Sequence, residues 1–201
     1  MLLWHNFFYQ GGIHVPDDSA RKIVEQCFKP GNFSWYNFKV GKTQRVIDRS
    51  CSACLEQGST DLETGYTFLR LSAKGHEIKI FFKPENLVFR SSLLPGGLGE
   101  PIQVCYVETG LLMMSDNADM SINRRKKPYY AYFNNAISNQ TTGYTLLRFN
   151  VKGHAMDIIF KTNDVAISST LLPGGLNELV PVDSVEAGLR MISEAAYKAN
   201  I

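Results

Sequence analysis

A chain of 201 residues, 44% hydrophobic and 20% charged, has the make-up of an ordinary soluble globular protein with enough apolar mass for a real core. A formal net charge of +2 gives no strong pull toward nucleic acid or an anionic membrane. No apolar run reaches the roughly 18 residues of a membrane span, and the N-terminus MLLWHNFFYQGG has neither the basic region nor the cleavage site of a signal peptide, so a cytoplasmic protein is expected.

Residues 1–15 carry two aromatic-rich pieces around Gln10-Gly11-Gly12, the pattern of a hairpin or of a strand entering a loop. Pro16-Asp17-Asp18-Ser19 starts a helix. Ala20, Ile23, Val24, Cys27 and Phe28 fall at helical spacing, and Pro30-Gly31 ends it. FSWYNFKV (33–40) is strand-like. Thr43–Gln57 is expected to be a helix, with Thr43 as N-cap and an apolar stripe of Val46, Ile47, Cys51, Cys54 and Leu55. Pro128–Asn139 is its expected counterpart, with Tyr129, Phe133 and Ile137 at i, i+4 and i+8, although the Tyr-rich composition also permits a strand.

The chain then repeats itself. Thr64–Met114 returns as Thr142–Ile192 without a gap: Thr142 − Thr64 and Gly174 − Gly96 both give an offset of 78, and about half the paired positions are identical. In the first copy Leu69, Leu71 and Ala73, then Ile78, Ile80 and Phe82, alternate with polar residues around Lys74-Gly75-His76. In the second, Leu147, Phe149 and Val151, then Met156, Ile158 and Phe160, do the same around Lys152-Gly153-His154. A third strand follows at Leu87–Ser91 and Val165–Ser169. Next come a loop, LLPGGLGEP or LLPGGLNEL, and a helix, with an Asp183/Glu186 capping box in the second copy. The expected fold is therefore α+β, a tandem duplication of an α-β-β-β-α unit with helices on one sheet face. Residues 1–42 would form an N-terminal extension, 43–118 the first lobe and 119–201 the second, with Ser115–Lys127 as the linker. GGIHVPDDSARKIVEQC faintly echoes the loop and last helix, as the tail of a truncated third copy would.

Several residue sets are candidates for chemistry. LPGG followed by Glu and ETGL resembles the glycine turn of the Nudix hydrolases. The Arg-Glu-x-x-Glu-Glu run that would hold magnesium there is missing: the helix offers only Glu108 or Glu186, too close to the glycines. The glycines are better read as shaping the backbone, and the acidic residues Glu100, Glu178 and Asp183 disfavour an anion at the helix start. His76 and His154, with Arg70/Arg148, Lys74/Lys152 and Glu100/Glu178, form twin polar sets. These are the candidate ligand-binding residues, should a pseudo-twofold axis bring the two turns together. The cysteines are Cys27, Cys51, Cys54 and Cys105. None lies in the second copy, so free thiols are expected, and Cys51-Ser-Ala-Cys54 lacks the further ligands of a zinc site. Arg124-Arg125-Lys126-Lys127 is a basic run beside Tyr129-Tyr130, a weak nucleic-acid candidate. The aromatic N-terminus packs across both lobes or forms an oligomer interface.

No nucleophile, metal or cofactor signature stands out. The leading expectation is a non-enzymatic binding or regulatory protein, an inhibitor or accessory factor. Its fused lobes would make a composite site for a protein or small ligand, with no cofactor, no metal and no membrane partner. One alternative is an enzyme acting on a phosphorylated or nucleotide substrate through the Arg, His and Glu of the repeat. A second is a nucleic-acid binder using the basic linker.

Overall fold

The computed structural model describes residues 18–27, 53–94, 96–121 and 131–199. In chain order the elements are α1 (Asp18–Cys27), β1 (Cys54–Thr60), β2 (Thr67–Ala73), β3 (His76–Phe82), β4 (Asn86–Ser91), β5 (Ile102–Val104) and α2 (Val107–Ser121). There follow β6 (Ala131–Asn139), β7 (Tyr144–Val151), β8 (His154–Lys161), β9 (Val165–Ser169), β10 (Val180–Val182) and α3 (Val185–Lys198). All ten strands join one antiparallel sheet in the order β10-β9-β3-β2-β1-β6-β7-β8-β4-β5.

This corrects the expected α-β-β-β-α unit. The residues read as the end of a first helix, 54–57, begin strand β1, and 131–139 form strand β6. Positions 43–52 and 128–130 lie outside the described residues, as do the aromatic segments 1–15 and 33–40 and the basic run Arg124–Lys127. The start of the expected linker, from Ser115, continues α2 as far as Ser121. Helix α1 forms over the stretch the periodicity indicates. At α3 the cap is Ser184, whose hydroxyl accepts from the Ala187 amide at 3.1 Å, rather than Asp183.

The meander strands form where alternation places them. Their Lys-Gly turns need left-handed backbone at both central residues, and Lys74 (φ 50°) with Gly75 (φ 79°), and Lys152 (φ 53°) with Gly153 (φ 91°), supply it. The third strands then cross over. β4, from the first repeat, pairs with β8 of the second, and β9, from the second, pairs with β3 of the first. Each half of the sheet is thus built by both repeats. The pseudo-twofold axis runs through the pair Cys54↔Tyr132, two residues that are themselves 78 apart.

The sheet curls. Phe82 on β3 and Phe160 on β8 stand five strands apart in the order, yet their rings stack at 3.9 Å. The inner face therefore closes on itself around one core, which includes Leu69, Ile80, Phe89, Leu147, Ile158 and Ile167. α2 covers the inner face from β4 and β5 to the central β1, and α3 covers it from β9 and β10 to the central β6. Near-complete burial of a side chain of this size stabilises the fold by about 1.5–3 kcal/mol.

Candidate functional site

The polar set kept in both copies has, for the most part, a structural task. Strand order and register send the β2–β3 and β7–β8 turns in opposite directions on either side of the central pair. His76 and His154 therefore do not converge on one site. Instead, His76 Nδ1 lies 3.2 Å from Thr170 Oγ1 and His154 Nδ1 lies 3.2 Å from Ser92 Oγ, each joining one repeat to the other. Ser169 Oγ donates to the Glu77 carbonyl at 2.9 Å, and Ser91 Oγ donates to the Ala155 carbonyl at 2.7 Å. These bonds latch the exchanged strands. The sequence signal for them was the hydroxyl pair, Ser91-Ser92 and Ser169-Thr170, which both copies keep at the same offset.

The Gly-Gly loops are closed by their own acidic residues. A Cβ on Gly96 would collide with the side chain of Glu100, and one on Gly174 with that of Glu178. The glutamates fold back over these glycines, which accounts for both members of each pair without an anion. Glu108 Oε1 accepts from the Thr60 amide at 2.5 Å, tying the start of α2 to β1. Its counterpart Glu186 accepts from the Ser138 backbone, and burial raises its pKa above the usual 4.5. Cys54, on a strand rather than a helix, has its thiol pKa raised by burial and then by Glu56, which makes it a poor nucleophile. Among the described residues no group of three or more His, Cys, Asp or Glu could hold a metal ion. Among them, too, no helix is long and apolar enough to cross a membrane.

What remains is the outer face, and there the two halves part. In the second half, one row of outward residues is Val88, Ile159, Leu146 and Ile137. All four are buried, and they form a second cluster with Ala20 of α1, against which Ile23, Val24 and Tyr144 pack. The next row is Arg90, Asp157, Arg148 and Asn135. The Asp157 carboxylate is fully buried and held by Arg90 Nε at 2.6 Å and by Arg148 Nε and Nη2 at 2.6 and 2.7 Å. Asp157 in turn raises the pKa of Arg148. A buried carboxylate needs such compensation.

The same rows in the first half carry other chemistry. In place of the aliphatic row stand Ala166, Phe81, Phe68 and Ser59. Phe68 and Phe81 pack with ring centroids 5.9 Å apart, are only partly buried, and belong to neither hydrophobic cluster. In place of the clamped aspartate row stand Ser168, Lys79, Arg70 and Gln57. Arg70 meets Glu56 and Lys79 meets Glu77, both at a loose 3.4 Å with all four side chains partly exposed. Ser168 Oγ and Arg70 Nε are buried without a hydrogen-bond partner. Beyond the aromatic row, Lys83 Nζ lies 5.6 Å from the ring centroid of Tyr66, whose hydroxyl bonds Asp164. Of the sequence candidates only Arg70 belongs to this face. Arg148 is its clamped twin, His76 and His154 open β3 and β8, and Lys74, Lys152, Glu100 and Glu178 lie at turns or loops.

No family model matches the chain, and neither does any curated protein or solved structure. The two outer faces, compared with each other, are the ground for a functional reading.

Proposed function

We propose that the chain is a non-enzymatic binding protein whose composite site is the outer face of the first half-sheet. That face is built by β1, β2 and β3 of the first repeat with β9 of the second. The carrying observation is the contrast between two pseudo-equivalent faces. One is aliphatic and sealed by α1, with two arginines clamped on one buried carboxylate. The other keeps partly exposed aromatic rings, loosely paired cations, a buried Ser168 hydroxyl without a hydrogen bond and an Arg70 Nε with only a 3.4 Å contact to Glu56. Folding alone favours the first arrangement, because outward aromatic surface and unsatisfied polar groups both cost stability. Their retention supports a face kept for a partner.

Hydroxyl-radical footprinting tests this. In the purified full chain, Phe68 and Phe81 should label while Leu146 and Ile159 stay protected. In cell lysate the labelling of Phe68 and Phe81 should fall. Phenylalanines already protected in the purified chain would show the face to be covered, and equal labelling in both conditions would show it has no partner; either result overturns the reading.

A further inference from the structure

We infer that this open face is a stacking platform for single-stranded nucleic acid, with Phe68 and Phe81 under the bases and Arg70, Lys79 and Lys83 on the phosphates. The inference rests on the open-face reading and names its ligand class. The choice of side chain is the first argument. An apolar protein partner is served as well by aliphatic residues, and the twin positions of Phe68 and Phe81 are Leu146 and Ile159. Aromatic rings add a flat surface that any base can stack on. The two rings come from neighbouring strands β2 and β3, directly cross-strand from each other.

Charge supplies the second argument. Arg70 and Lys79 form the row beside the rings, and Lys83 stands beyond them. Their carboxylates, Glu56 and Glu77, are held at 3.4 Å on partly exposed side chains. Such pairs are worth about 0–1 kcal/mol, so a phosphate can displace them at little cost. The twin row cannot do this, because Asp157 occupies both of its arginines at 2.6 Å. The third argument is the buried Ser168 Oγ and Arg70 Nε. Both lie in the cationic row; Ser168 is fully buried, so the partly exposed Arg70 guanidinium, held only by the loose Glu56 contact, is the donor that a phosphate would reach. A duplex hides its base faces, so the rings select single strands. Stacking engages any base, so binding is tolerant of sequence.

The test is fluorescence anisotropy of the full chain with labelled oligo(dT) and oligo(U) of about 16 nucleotides, and with a duplex of equal length. The expected result is single-strand binding that weakens with salt and is stronger than duplex binding. Phe81→Ala should weaken it about tenfold, the effect of removing one stack. Lys79→Asp places the twin's carboxylate opposite Arg70. It should reduce binding further and lower the slope of log K against log salt by about 0.7 for each phosphate that is no longer neutralised. Circular dichroism melts show whether each variant is folded, and Lys79→Asp decides the matter if Phe81→Ala does not fold. Three results overturn the proposal. One is no single-strand binding at low salt. Another is binding untouched by Lys79→Asp but abolished by Arg124→Ala/Arg125→Ala. The third is nuclease-resistant protection of Phe68 and Phe81 in lysate with no oligonucleotide binding, which would make the partner a protein and leave the open-face reading standing.

Discussion

The outer face occurs twice on this sheet, and the two occurrences differ: one packs against α1, and the other carries partly exposed aromatic rings and loosely paired charges. At the position of Lys79 in one half the other has Asp157, and at that of Ser168 it has Arg90. Those two exchanges turn a row of loosely held cations into a closed ion cluster, while Phe68 and Phe81 give way to Leu146 and Ile159 under α1. A duplicated unit thus has two equivalent surfaces, and one of them is packed under a helix while the other keeps its rings partly exposed.

Paired substitutions test how real the separation is. The largest difference is expected at the charged rows. Asp157→Ala leaves two guanidiniums without their buried carboxylate and should cost about 3 kcal/mol, whereas Lys79→Ala should change stability by no more than about 0.5 kcal/mol. Urea titration of both variants reads the contrast, and equal losses would break it. The apolar rows should differ by less. Leu146→Ala opens a cavity under α1 and should cost about 2–3 kcal/mol. Phe68→Ala, on the open side, should cost about 1 kcal/mol or less. A Phe68→Ala loss as large as that of Leu146→Ala would mean the first face is as closed as the second. The smallest effect sharpens the comparison from the other side. His76→Ala and His154→Ala each remove one latch and should cost about 1 kcal/mol apiece, with equal losses in thermal melts, because the latches stay symmetric where the faces do not.

The meander was legible because Leu69, Leu71, Ile78 and Ile80 and their second-copy counterparts alternate cleanly with polar residues. β1 was not. A bulge between Leu55 and Gln57 breaks its alternation, and its next core-facing position is Gly58, where a Cβ would stand 2.7 Å from Leu111 of α2, so the strand lacks the apolar beat that would announce it. β6 was disguised differently. A bulge between Phe133 and Asn135 shifts its register, so Phe133 and Ala136 face the inner core while Ile137 faces α1. A strand with both faces buried and a slip in its middle reads as a helix as easily as a strand. The exchange of third strands was not legible at all, because alternation fixes which face a residue takes and says nothing of which strand lies beside it. The candidate site followed from that. Arg70 and Arg148 were visible as a matched pair between the copies, each facing its hairpin neighbour, Lys79 or Asp157, but the second arginine of the clamp, Arg90, and its counterpart Ser168 arrive only with the exchanged strands.

The crossed strands also set the order in which the chain can fold. When β4 leaves the ribosome its partner β8 does not yet exist, and β3 must wait still longer for β9. The first repeat cannot complete its half-sheet with its own residues, so closure is a late event dominated by contacts distant in sequence, and such topologies fold slowly. A single repeat synthesised alone would carry a β3 with one edge unpaired and an unplaced β4, and its nearest way to satisfy both is to exchange strands with a second copy of itself.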